Sequence, residues 1–428
     1  MTDMPQISII VTAYNIEKYI VESLSSIAGQ TLRDIEIIVV DDGSTDATPQ
    51  IIRDFAARDP RIKPILFSEN TVGGVASAAN AGIDAASGDF IGFADGDDSY
   101  APDMFEKLWR AATETDSELA MCRYTLLDEA DGTVLEPAEA NRWRSYPQQV
   151  ALDLNLKLRK DLLRFVSVPW RKLYRRDLVE RASLRFPVGD FFFEDNPFHW
   201  MSIIETSRIV LVPERLCQHR VARAGQTMAT VDERLLRIFQ HHDIIRNWLV
   251  QRNYLTDYHD DLLRWISSQL SWVSLRAEGD IRRRLFDLLV PIIAQYSSSE
   301  IDDYARSNGW GRTVQMLKAL KDSDYIRFGQ AAGWTSGLSK RGRAPAGASL
   351  WRRGLHHLRH TGVRQTTSMT MTYISERLGL RRPETSKTMQ DKLSHQDLMM
   401  ALIVLQRDIR SLRQEVKALS RSKGSEEA

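Results

Sequence analysis

The stretch "ISIIVTAYNIEKYIVESLSSIAGQTLRDIEIIVVDD", residues 7–42, contains two runs, 7–14 and 35–42, that are apolar at nearly every position and rich in Ile and Val. A strand with one wet face alternates apolar and polar side chains, whereas a strand covered on both faces reads as a continuous apolar run. Between the two runs, residues 16–28 repeat apolar positions at helical spacing. The alternation continues with a helix over 48–57, a strand over 62–67, a helix over 74–86, a strand over 89–95 and a helix over 102–114. Pro64 marks the third strand as an edge or irregular one, and Pro102 suits a first helical turn. Buried strands separated by helices predict a parallel sheet covered on both faces. Right-handed crossovers make it a doubly wound α/β sheet.

The rest of the chain is less regular. Residues 119–127 and 207–214 read as strands, and helices are expected near 148–164 and after Phe193. Residues 232–322 are helical in pattern, with Trp248, Trp265 and Trp272 read as helical core and His241–His242 as an exposed face. From 334 to 382 the chain is strongly basic, and "KRGRAPAGAS" reads as a linker. Leu398, Leu402, Leu405, Ile409, Leu412, Val416 and Leu419 then step by four and three, an a/d heptad pattern. The expected domains are 1–230 for the sheet domain, 231–330 helical, 331–384 a basic linker or amphipathic segment, and 385–422 a coiled-coil helix.

Composition narrows the function classes. The chain has 428 residues, 43% hydrophobic and 27% charged, with zero formal net charge, which argues against a nucleic-acid partner. Cys122 and Cys217 are the only cysteines, so neither a disulfide framework nor a cysteine metal cluster is expected, and a reduced, cytoplasmic setting fits. The first fifteen residues lack a basic region and a long apolar core, so they do not read as a signal peptide. No apolar run is long enough to span a bilayer.

In a doubly wound sheet ligands bind beyond the carboxyl ends of the strands. There the chain carries "TAYN" (12–15), "DDGSTD" (41–46) and "DGDD" (95–98). Tyr14 can stack on a base, and Asp41 and Asp42 can accept from a base N–H or a ribose hydroxyl. Asp95, Asp97 and Asp98 crowd three carboxylates into four positions, which repel unless something holds them. Hard carboxylate oxygens binding a divalent cation answer that need. Asp46 reads as a helix N-cap instead.

Residues 7–52 and "GGVASAANAGIDAASGDFIGFADGDD" (73–98) together resemble the nucleotide-sugar-binding half of family 2 glycosyltransferases of bacterial surface-polysaccharide type. The resemblance reaches, more weakly, to about residue 228. It implies the GT-A fold, a doubly wound mixed sheet, and an inverting transfer from a nucleotide-diphospho-sugar, often a UDP-sugar, to a hydroxyl of a glycan or lipid-linked glycan. It implies Mn2+ or Mg2+ at the DxD motif, Asp95-Gly96-Asp97, with Asp97 and Asp98 nearest the metal and Asp95 nearer the ribose. Thr12, Tyr14 and Asp41 match the family's base-pocket positions, and Asn15 and Asp42 are candidate donor-binding residues beside them. "FPVGDFFFEDNPFHW" (186–200) supplies Glu194 and Asp195, with Asp195 as general base. "LCQHRVARAGQTMA" (216–229) resembles a loop closing over the diphosphate, with His219, Arg220, Gln226 and Thr227 as candidates, and "VPWRKLYRRDLV" (168–179) places Trp170 and Lys172 on the acceptor side. Many relatives carry Arg before the Asn in the helix ahead of the fourth strand, where this chain has Ala79-Asn80.

Two other classes are open to the sequence. A sugar-phosphate nucleotidyltransferase would need a glycine-rich, cationic triphosphate loop after the first strand, which is not evident. A non-catalytic assembly protein would keep the fold and use the heptads as a scaffold. The heptads also suggest a homo-oligomer, and the basic segment a peripheral contact with anionic membrane on its inner face.

Overall fold

The structure is a computed structural model that describes residues 4–189, 192–221 and 233–334. The basic segment beyond Trp334, the heptads, Gln226 and Thr227 lie outside the described residues. The chain divides into two compact units, the first ending at Ile292 and the second beginning at Ile293. The helices that the sequence groups over 231–330 are therefore shared between the two units.

The first unit opens as the residue pattern predicts. β1 (Ile7–Ala13), β2 (Ile35–Asp41), β3 (Ile62–Leu66) and β4 (Phe90–Asp95) alternate with α1 (Ile20–Ala28), α2 (Thr48–Ala56) and α3 (Val75–Ala85). Then follow β5 (Ser99–Tyr100), α4 (Met104–Glu114), β6 (Leu119–Asp128), β7 (Val134–Leu135), β8 (Val150–Asp153), α5 (Leu156–Leu162), β9 (Lys172–Arg175), α6 (Arg176–Arg181), α7 (Asp195–Glu205) and β10 (Arg208–Val221). Among the described residues the strands form one mixed sheet in the order β3-β2-β1-β4-β9-β6-β10-β5, with β7 on β6 and β8 on β10. β1 pairs in parallel with β2 and β4, and β2 with β3. β9 is antiparallel to both β4 and β6. β3 is the edge strand, as Pro64 requires, since proline cannot donate to a ladder on both sides.

β1 explains why its sequence is apolar throughout. Ile7, Ile9 and Val11 join a core with α1 (Ile20, Leu24, Ile27) and α4 (Met104, Phe105, Leu108). Ile10 points to the opposite face, into a core with Ile91 and Phe93 of β4, Ala76, Ala79 and Ile83 of α3, and Phe198, Trp200 and Ile203 of α7. Full burial of each aliphatic side chain stabilises by roughly 1.5–3 kcal/mol, so two filled faces define the sheet's register strongly. α8 (Gln240–Gln251) and α9 (Leu255–Ser274) contribute Ile245, Leu249, Tyr258 and Leu262 to this second core. At the other end of the strands buried Glu36 receives Ser8 Oγ, the Ser87 amide and hydroxyl, and Lys63 Nζ.

Three local readings change. The helix expected near 148–164 is a strand, β8, followed by the shorter α5, whose Asn155 side chain caps Leu158 N. The strand expected over 207–214 continues to Val221 through irregularities around Arg215, so residues 216–221 of the supposed diphosphate loop are strand. His241 and His242 are buried, not exposed.

α10 (Ile281–Ala294) contains the boundary between the units. The described part of the second unit comprises α11 (Ser298–Asn308), α12 (Arg312–Lys321) and α13 (Tyr325–Ala331). Ser297 and Glu300 form a capping box at the start of α11. No helix among the described residues is long and apolar enough to cross a membrane.

Candidate active site

The parallel register of β1 decides where the polar strand ends meet. Ala13 of β1 lies opposite Asp41 of β2, and Thr12 lies opposite Asp95 of β4. The Asp41 turn and the Asp95–Asp98 turn therefore flank β1 on one edge of the sheet. Gly96 closes this edge: its N–H donates to Thr12 O at 3.0 Å. A Cβ there would lie 2.8 Å from Thr12 O and 2.5 Å from Ile16 Cδ1, so only glycine fits between the two aspartates of the motif.

On the β2 side the acids are tied into loops. Asp41 accepts from Ser44 N at 3.0 Å and from the Ser44 hydroxyl. Asp42 accepts from Thr71 N at 3.1 Å, Thr71 Oγ1 at 2.8 Å and Asn70 Nδ2 at 2.8 Å. Burial raises the Asp42 carboxyl despite these bonds. Gly43, at φ +72°, packs against the Glu69–Asn70 backbone, where any Cβ would collide. Asn15, at φ +49°, joins the β1 and β2 loops through Thr45 N at 2.8 Å and Ser44 Oγ at 2.8 Å. Tyr14 is 45% exposed beside them, open to a flat ligand.

On the β4 side Asp95, Asp98 and His219 converge, each offering a ligand atom within 4.8 Å of the others. Asp98 Oδ2 lies 2.7 Å from His219 Nδ1, and Asp98 Oδ1 accepts from Arg220 N at 2.8 Å. Trp170 stacks on the His219 ring at 5.1 Å and 19°. Burial, then the neighbouring Asp98 and Asp97 charges, push the Asp95 carboxyl well above its usual range. Burial by itself would lower the His219 imidazole, but Asp98, with Asp95 and Asp97, raises it to about 9. Two carboxylates that repel each other, with an imidazole beside them, make a donor set that could hold a divalent ion. Asp97 shares the turn but falls outside this group; Arg220 Nε donates to its carbonyl at 3.1 Å.

Two expected positions also have partners within the protein. The Arg220 guanidinium pairs with Glu22 and Glu129 at 2.9 Å each and lies over Tyr19. Lys172 is fully buried, with Nζ 2.9 Å from Ser167 O and 3.1 Å from His199 Nδ1. Trp170 is likewise buried beneath His219. Ala79 belongs to the apolar core, while the Asn80 carboxamide makes paired bonds to Phe186 N and O.

Glu194 sits at the N-cap position of α7, without a side-chain capping bond, and Asp195 begins the helix. The preceding Phe193 has φ +68°, a left-handed conformation unusual for an aromatic residue. Burial raises Glu194 to about 7. Burial also raises Asp195, to about 6, against the favourable charge of Lys172. Asp195 is close enough to Asp95 to raise that group in turn. A half-buried carboxylate of this kind is suited to accept a proton near neutral pH.

Comparisons with known proteins identify the family. The profile described as Glycosyl transferase family 2 matches residues 8–181. "Uncharacterized glycosyltransferase EpsJ" of Bacillus subtilis (strain 168) is 39% identical over 218 residues, 51% of this chain; the chain spans 61% of that relative's length. EpsH of the same organism is 31% identical over 296 residues, covering 67% of this chain and 82% of EpsH. The crystal structure of S. aureus TarS 1–349 in complex with UDP-GlcNAc shares the fold, with a TM-score of 0.62 at 20% identity over 77% of this chain and 90% of that one. The chain belongs to glycosyl transferase family 2: it is a glycosyltransferase of the GT-A type.

Proposed function

We propose that this enzyme transfers a sugar from a nucleotide-diphospho-sugar, a UDP-sugar, to a hydroxyl of a glycan or lipid-linked glycan acceptor in one inverting displacement. The observation that carries the reading is the convergence of Asp95, Asp98 and His219 at the carboxyl edge of the sheet. Asp95, Asp98 and His219 would hold Mn2+ or Mg2+, with Asp97 in the same turn. Such an ion supplies positive charge for the leaving diphosphate.

The chain's own residues do the rest. Tyr14 and the β1 and β2 loops receive the base and ribose. Asp195 accepts the acceptor's proton as its oxygen attacks the anomeric carbon, and the bond to the diphosphate oxygen breaks with its electron pair. TarS, whose complex holds UDP-GlcNAc, shares this fold, in keeping with a UDP-sugar donor. The heptads would bring copies together and the basic segment would meet anionic lipid; light scattering of a chain ending at 385 and salt-sensitive vesicle binding test those two parts.

The test of the donor is thermal stabilisation by a panel of nucleotide sugars, with and without Mn2+. A UDP-sugar should raise the melting temperature when Mn2+ is present and lose that effect in excess chelator. Equal stabilisation in chelator, or by none of the panel, overturns the reading.

A further inference from the structure

Three stretches far apart in sequence meet at the carboxamide of Asn196, immediately after Asp195. Partners of single polarity determine which way this amide points. Trp265 Nε1 of α9, 3.0 Å from Oδ1, can only donate, and Phe193 O, 3.0 Å from Nδ2, can only accept. Ser167 Oγ therefore donates the second bond to Oδ1, at 3.0 Å. The remaining amide hydrogen faces Asp195 Oδ1 at 3.1 Å. All four hydrogen-bonding capacities of the carboxamide are used, one of them on the Asp195 carboxylate.

We propose that Asn196, gripped by Trp265 and Ser167, is the positioning residue of Asp195: it holds one carboxylate oxygen so that the other faces the acceptor hydroxyl. The inference rests on the reading of Asp195 as the base. The same turn is braced at two further points. His241 Nε2 donates to Phe192 O at 2.7 Å, and the Trp272 ring meets Phe193 edge-on at 5.5 Å. α8 and α9 thus hold Phe193 in its left-handed conformation. These helices lie beyond the stretch matched by the family profile, which ends at residue 181. A half-buried tryptophan whose N–H is committed to the residue beside the base is a support for the turn.

The test uses Trp265→Phe, which removes the N–H and keeps an apolar ring, and Asn196→Ala, which removes the amide. Asp195 is followed directly by the 13Cγ shift of labelled aspartate, assigned with Asp195→Asn, in full-length protein. The charged groups that act on Asp195 are Lys172, Glu194 and Asp95, and none is altered. A hydrogen bond to the ionised form favours it, so both variants should move the Asp195 midpoint upward. In both, kcat for UDP release from the UDP-sugar active in the panel should fall about 10- to 100-fold with KM little changed. An unmoved midpoint with kcat retained overturns the inference. Should Asn196→Ala fail to fold, Trp265→Phe and Ser167→Ala give the same readouts. Full turnover by Asp195→Asn would instead remove the base reading, whatever the two positioning variants do.

Discussion

Asp98 Oδ2 and His219 Nδ1 lie 2.7 Å apart although 121 residues separate them in the chain. The contact links the turn after β4 to the far half of β10. It also fixes the imidazole against Trp170.

Asp98→Asn keeps the shape of this contact and removes the charge. Sugar transfer should fall by at least about 10²-fold, the scale of losing one preorganised electrostatic partner. Stabilisation by Mn2+ with a UDP-sugar should disappear as well. Calorimetric titration of Mn2+ in the presence of UDP checks this; an unchanged Mn2+ affinity would count against the assignment of Asp98.

With Asp195 as the proposed base, a pH dependence follows. Its carboxyl is raised to about 6, and a base works only when ionised. Below pH 6 the group carries a proton and cannot take another, so kcat should rise through about pH 6 and then level off. Asp195→Asn should cost about 10²- to 10⁴-fold at pH 8. A rate already flat between pH 4 and 5 would contradict the role.

Much of this architecture is legible in the residues, and the failures have physical causes. Strands β1, β2 and β4 are apolar on both faces because both are covered, so their pattern is strong. β9 is four residues long and begins with Lys172, which is buried by neighbours no local window can see. β10 is interrupted at Pro213-Glu214, a normal strand ending, yet the chain resumes pairing beyond Arg215. His241 and His242 are adjacent, and one-sided amphipathic reasoning exposes at least one of them; both are buried in the fold. The acid-rich turn was readable from charge crowding alone, but His219 joins it only through the pairing of β10 with β6 and β5. The tie from Trp265 to Asn196 had no local signal, since a tryptophan at helical spacing looks like core.

Glu36 anchors the opposite end of the sheet. Burial would raise its carboxyl, but Lys63, Ser8 and Ser87 together lower it from 4.5 to about 2. A lowered carboxyl contributes stability that is complete above its ordinary range and is lost as pH falls from about 5 toward 2. The shift corresponds to roughly 2–3 kcal/mol after discounting solvent-exposed Lys63. Glu36→Gln should lose about that much in urea unfolding at pH 7, and the difference from the parent should shrink by pH 3. A constant difference across that range would show that the charge is not responsible.

Asn80 offers a sharper contrast between two substitutions. Its Nδ2 donates to Phe186 O at 2.8 Å and its Oδ1 accepts from Phe186 N at 2.9 Å, so one amide joins α3 to the start of the segment that leads to Glu194 and Asp195. Asn80→Ala removes both bonds and should cost about 1–3 kcal/mol, the penalty for leaving buried backbone groups without partners. Asn80→Asp keeps the acceptor for Phe186 N but turns a second oxygen toward Phe186 O, setting two acceptors against each other. The aspartate, though nearly isosteric, should therefore destabilise the fold at pH 8 at least as much as alanine does. Lowering the pH to 4 protonates a share of that carboxyl, restores a donor, and should narrow its deficit relative to alanine. Thermal unfolding of the three proteins at both pH values decides the matter: an aspartate variant that tracks the parent at pH 8 would mean that the Asn80 amide is not the link between α3 and the segment leading to Asp195.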